Sequence, residues 1–96
     1  MAAEKGEEMQ KLLTIHPDDN VAVALASLEK GLSIDAITIA EDIPFAFKIA
    51  VKDIPAGDAV IKYGETIGLA TRDIQAGALV HVHNIRSLRA QGESHD

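Results

Sequence analysis

The chain has 96 residues, a net charge of −6, no cysteine, and only Phe45, Phe47 and Tyr63 as aromatics. That length holds one small domain, and the missing cysteines exclude disulfide frameworks, thiolate metal sites and cysteine nucleophiles. The acidic balance, with no basic cluster, argues against nucleic-acid binding, and no apolar stretch reaches signal-peptide or membrane-span length, so the chain reads as cytoplasmic.

Residues 1–9 (MAAEKGEEM) are polar and acidic without apolar periodicity, and so are residues 90–96. Both read as disordered tails around a domain at 10–89. Within it the first apolar run is KLLTI at 11–15, stopped by HPDDN. VAVALASL follows at 21–28. It reads as a strand first, although its alanines and leucines leave room for one helical turn at 26–30. Further β-branched segments are AITIA at 36–40, FKIAVKD at 47–53, AVIKYG at 59–64, ETIGLA at 65–70 and ALVHVHN at 78–84. Their spacing of about ten residues, with turn signals between, predicts an all-β domain of short strands. With so few aromatics its core is built from Ile, Val, Leu and Ala. A core this small makes a homo-oligomer or a partner subunit plausible.

A short phrase recurs: DIPF at 42–45, DIPAG at 53–57 and DIQAG at 73–77, each leading into a strand. Asp suits turn initiation, Pro presets φ, and Gly permits positive φ before the next strand. Separations of 11 and 20 residues are too irregular for a solenoid. The phrase reads as one turn-to-strand device used three times.

Three stretches carry candidate chemistry. In VHVHN, strand alternation places His81 and His83 on one face with Val80 and Val82 toward the core. Two imidazoles so placed suit metal ligation or acid–base work; the competing reading is a solvated strand face. In HPDDN, His16, Asp18 and Asp19 offer a mixed His/carboxylate set for a divalent ion; the competing reading is ordinary turn chemistry. In IKYG, Lys62 offers a point charge for a substrate carboxylate and Tyr63 a hydroxyl donor, with Gly64 making the turn. Its competing reading is a hairpin with an exposed lysine.

HPDDNVAVAL (16–25), DIPAGDAVIKYGETIG (53–68) and DIQAGALVHVHN (73–84) together resemble the N-terminal SAF domain of the altronate/galactarate dehydratase family, over roughly residues 11–85. The resemblance implies a small β-clip fold. It also implies a sugar-acid hydro-lyase whose large catalytic portion is fused or is a separate subunit; because this chain stops after the small domain, a separate large subunit is expected. The sulfolactate sulfo-lyase is a cousin. On the matched motifs the resemblance implies His81, His83 and Lys62 as catalytic residues. It implies Lys48, Tyr63, Gly64 and Asn84 as substrate contacts. His16, Asp18 and Asp19 would be ligands of a divalent metal, Fe(II) being a candidate, shared with the large subunit. One position departs: the family's usual Gly-His-Lys is here Ala46-Phe47-Lys48, which removes a histidine. That departure keeps two other readings open, a stand-alone sugar-acid binding module and a purely structural assembly domain.

Overall fold

Residues 10–88 are described by the structure, a computed structural model. The tails expected at 1–9 and 90–96 lie outside the described residues. The nine elements among these residues are all β-strands: β1 Leu12–Leu13, β2 Val21–Ala24, β3 Ser33–Ile34, β4 Ile37–Thr38, β5 Lys48–Ala50, β6 Ala59–Lys62, β7 Glu65–Ala70, β8 Leu79–Val80 and β9 Ile85–Ser87. All pairings are antiparallel. They form a four-stranded sheet in the order β1-β2-β5-β8, a β3-β4 hairpin, and a three-stranded sheet β6-β7-β9. The all-β expectation holds. No helix among the described residues is long and apolar enough to cross a membrane.

What organises these short strands is a five-residue unit used four times, at 27–31, 42–46, 53–57 and 73–77. The first pairs with the second and the third with the fourth. Position two is a buried Leu or Ile that exchanges both backbone bonds with its counterpart: Leu28 with Ile43, and Ile54 with Ile74. Position five has positive φ in all four, at Gly31 (93°), Ala46 (76°), Gly57 (90°) and Gly77 (95°). Its N–H donates to the carbonyl three residues before the partner unit, namely Ile39, Ala24, Ala70 and Ala50, at 2.7–2.8 Å. In three units the leading aspartate accepts the amide at position four of the partner: Asp42 from Lys30, Asp53 from Ala76, Asp73 from Ala56. The sequence announces these three by DIP or DIQ. The remaining unit, SLEKG, has Ser27 in the aspartate's place, which accepts no such amide, and so it carries no legible signature.

This pairing divides the interior into two clusters of the same design. Leu28, Ile43, Ala24 and Ile39 anchor one, with Leu12, Ala22 and Ile49. Ile54, Ile74, Ala50 and Ala70 anchor the other, with Val21, Val60 and Val80. Each buried Ile, Leu or Val contributes about 1.5–3 kcal/mol, so the domain rests on many small terms with no aromatic anchor in either buried set.

Two expectations are corrected. The strand expected across 21–28 ends at Ala24, and the helical turn at 26–30 is not formed: the chain bends so that Leu28 can bridge to Ile43. Tertiary pairing here overrides the helical propensity of Ala and Leu. In ALVHVHN only Leu79 and Val80 are strand; residues 81–84 are a turn. Val80 is buried as expected, but Val82 is 80% exposed. The cause is Asn84, whose Oδ1 accepts the His81 N–H at 3.0 Å while its Nδ2 donates to the Leu79 carbonyl at 2.8 Å. Such local side-chain bonds compete with continuation of the strand.

Ala46 is the one non-glycine at position five. An L-residue in the left-handed region costs about 1–2 kcal/mol relative to glycine. Allowing for glycine's larger unfolded-state entropy, Ala46→Gly is expected to stabilise the domain by about 0.5–1 kcal/mol and to raise the thermal midpoint by several degrees. Thermal unfolding followed by circular dichroism checks this, and a lowered midpoint would contradict it.

Candidate functional site

The HPDDN turn and the tip of the β6–β7 hairpin fold onto each other. Tyr63 (φ 60°) and Gly64 (φ 74°) are the two central residues of that hairpin. Consecutive positive φ values mark the turn whose twist matches flanking strands. Gly64 suits it; Tyr63 is held there against the preference of a bulky residue. What holds the tip is Asp19. Its Oδ1 accepts the Gly64 N–H at 2.8 Å and its Oδ2 accepts the His16 N–H at 3.1 Å. Burial of Asp19, only 2% exposed, raises its pKa, but the N–H groups of Gly64, Tyr63, His16 and Ile15 outweigh that and hold the carboxyl below its ordinary value. The His16 ring lies over Gly64 so closely that a Cβ there would stand 2.8–3.0 Å from three ring atoms.

Asn20 completes this join. Its amide donates to the Ala59 carbonyl at 2.9 Å and accepts the Ile61 N–H at 2.8 Å, while its backbone N–H donates to the Ile61 carbonyl. The β6–β7 register shifts between Val60 and Ile61, and Asn20 bonds the groups beside that irregularity. Reading HPDDN as a turn did not identify this long-range role. Its signal in the sequence was only an Asn at the end of a turn-forming run.

At the tip, Tyr63 is 55% exposed and the Lys62 ammonium sits 3.8 Å from the centroid of its ring. His16, Asp18, Asp19, Lys62, Tyr63 and Gly64 are thus gathered at one place, a meeting of two motifs that the sequence left separate. The second gathering is around the 81–84 turn. His81 is exposed and its ring packs on Phe47, centroids 5.1 Å apart and planes tilted by 47°. Lys48 pairs in register with Val80 on one side and Val23 on the other. Position 47, where the resemblance expects histidine, therefore lies directly against His81. His83 is also exposed and lines an open groove with Glu41 and Arg72, which no motif marked. The two histidines do not share a strand face, because they sit in a turn. Asn84 is buried with both ends of its amide spent on the turn, so it positions His81 and His83.

The donors present do not by themselves fit the implied divalent ion. Among the described residues no three His, Asp or Glu side chains gather as a metal site. Both Asp19 oxygens are occupied by backbone amides. Nδ1 of His16 accepts the Asp18 N–H at 3.0 Å and stands 3.8 Å from the Asp18 carboxylate, which leaves Nε2 carrying the proton in the neutral ring. Asp18 is exposed and is the one other carboxylate in that turn.

Residues 10–88 match the altronate/galactarate dehydratase SAF domain. The chain is 48% identical over 79 residues to altronate dehydratase of Escherichia coli K12, covering 78% of this chain and 16% of that protein. It is 39% identical over 83 residues to altronate dehydratase of Bacillus subtilis 168, covering 82% of this chain and 17% of that one. It is 45% identical over 53 residues to the alpha subunit of (2R)-sulfolactate sulfo-lyase from Paracoccus pantotrophus, covering 55% of this chain and 79% of that subunit. The chain thus spans about a sixth of the dehydratases it matches. A match to the family over all the described residues makes this chain a member of the altronate/galactarate dehydratase SAF-domain family.

Proposed function

We propose that this chain serves a carbon–oxygen lyase acting on a sugar acid such as altronate or galactarate, and that it completes an active site whose larger catalytic portion lies elsewhere. The observation that carries this reading is the convergence of HPDDN and KYG. Two motifs 45 residues apart are joined through Asp19 and Gly64, and they present a strained, exposed Tyr63 under a lysine ammonium. Strain held at an exposed tip by a buried carboxylate suits a contact surface better than a solvated loop.

Dehydration of a sugar acid removes a proton α to a carboxylate and expels a β-hydroxyl. Lys62 suits the substrate carboxylate as a point charge, and Tyr63 suits a hydroxyl as donor. His81 and His83 are exposed imidazoles able to accept or deliver a proton once a substrate is brought within hydrogen-bond reach. The surfaces at these residues are open, so water exclusion falls to the larger portion. A divalent ion, with Fe(II) a candidate, would take most of its ligands from that portion too. The work is expected to be cytoplasmic.

A second reading has its own support. The match to the sulfo-lyase subunit covers most of that short polypeptide, which favours a separate small subunit of that kind. The Phe47 ring in place of histidine favours a chain that binds or assembles without contributing to chemistry.

Association is the first test. The full chain is mixed with E. coli altronate dehydratase from which the matched region has been removed, and the mixture is run on size exclusion with light scattering. A stoichiometric complex at micromolar concentration is the expected result. Two folded components that elute independently would refute completion of a shared site.

A further inference from the structure

An open groove of about 550 Å³ runs between the loop at 72–75 and the turn at His83 and Asn84, with Glu41 along its side. Three bonds outside the strands hold it in shape. Thr71 N–H donates to the Asn84 carbonyl at 2.9 Å, tying the Arg72 loop to the histidine turn. Ala40 N–H donates to the Gly77 carbonyl at 2.9 Å, and Leu79 N–H donates to Glu41 Oε2 at 3.1 Å, tying the third wall to the floor. The volume is of the size that small-molecule sites occupy, about 300–1,000 Å³.

The polar groups lining it are mixed in a particular way. Arg72 is exposed, and among the described residues its guanidinium has neither a hydrogen bond nor an ion pair. Glu41 and Asp73 each commit one oxygen to a backbone amide, to Leu79 and Ala56 respectively. Each keeps a second oxygen as an acceptor. Gln75 supplies both a donor and an acceptor, and His83 one or the other.

A dicarboxylate would bring its second negative charge against Glu41 and Asp73. A neutral polyol would leave Arg72 unused. A ligand with one carboxylate and several hydroxyls satisfies both halves: the guanidinium grips the carboxylate through its planar fork, and the carboxylate and amide acceptors take hydroxyl protons. We propose that this groove is a binding site for a polyhydroxy monocarboxylate, with Arg72 as its carboxylate clamp. The inference rests on the sugar-acid reading above. It adds a residue that no motif marked, and a preference for one carboxylate over two.

The test is a titration of the full chain followed by amide chemical shifts, with gluconate as probe and galactarate, hexanoate and sorbitol as comparisons. Gluconate is expected to give saturable shifts at 72–75 and 83–84. Each of the other three binds at least about tenfold more weakly, and Arg72→Gln weakens gluconate by at least about tenfold, the size of a lost charge-assisted pair. Lys52→Gln removes a positive charge outside the groove and leaves binding unchanged. The amide spectrum of each variant reports whether it is folded. No saturable shift, shifts mapping elsewhere, or a folded Arg72→Gln chain that binds gluconate normally would each overturn the proposal. The two readings fail separately: a stoichiometric complex without gluconate binding removes only the groove, and gluconate binding without a complex removes only the shared site.

Discussion

Gly77→Ala is expected to be a severe substitution, and Gly57→Ala, at the equivalent position of its paired unit, a mild one. Both glycines have φ near +90°, so at both a left-handed L-residue, less the unfolded-state entropy it removes, costs about 0.5–1 kcal/mol. Their surroundings differ. Around Gly57 a Cβ would meet nothing within 4 Å. At Gly77 it would fall inside the van der Waals shell of the Thr38 carbonyl oxygen, with the Ala40 nitrogen behind. That backbone cannot step aside, because Ala40 N–H is bonded to the Gly77 carbonyl itself and Gly77 N–H to Ala50. The added cost brings Gly77→Ala to about 4 kcal/mol or more, within reach of the whole stability of a domain this size, about 4–12 kcal/mol. The thermal midpoint is expected to fall by roughly 15–30 °C for Gly77→Ala and by roughly 2–8 °C for Gly57→Ala. Paired melts check this. Equal losses would show that backbone conformation, and not close approach, sets the effect.

Asp19→Asn is expected to loosen the joint between the two motifs with little change in volume. The asparagine oxygen can still accept one amide, but its NH2 must then face a second backbone donor, His16 or Gly64, that the carboxylate oxygen had satisfied. The thermal midpoint near neutral pH is expected to drop by on the order of 10 °C, and amide exchange at Tyr63 and Gly64 to accelerate.

The same carboxylate sets an acid limit. Its folded pKa lies below the unfolded value of about 3.9, so the folded chain binds fewer protons through that window. The stability it confers is complete above about pH 4 and is lost as pH falls through the folded value. Asp19→Asn is therefore expected to flatten the fall in stability below about pH 4 relative to the unaltered chain. Denaturant midpoints taken across that range measure it, and parallel curves would contradict the assignment.

The strand class was legible because β-branched runs alternate with turn residues at short spacing, and three of the four repeat units were legible because they begin with Asp-Ile. The fourth was not, because Ser27 makes no bond to its partner unit and SLEKG has neither Pro nor Asp. Strands β3 and β9 were missed for a related reason: two or three residues carry too little alternation to set a period. The site was half legible. HPDDN and KYG were recognised as candidates, and they meet. What the sequence could not show was that Asp19 faces inward to bind amides instead of a metal. Nor could it show that Asn84 breaks the strand and so separates the two histidines that alternation had placed together. Both outcomes depend on backbone donors supplied from elsewhere in the chain. Arg72 lay next to a repeat unit and carried no motif at all; only the folded loop places it beside His83 and Glu41.

The central claim is that this domain completes a sugar-acid hydro-lyase site. A chimera tests it most directly: E. coli altronate dehydratase with its matched region replaced by residues 10–88 of this chain, assayed for altronate dehydration. The account predicts kcat/KM within about tenfold of the parent enzyme. It also predicts a loss of about a hundredfold or more on adding His81→Ala and Lys62→Met, in the range of a lost acid–base group. A chimera that melts cooperatively yet dehydrates no altronate, or one whose kcat/KM ignores both substitutions, would contradict it.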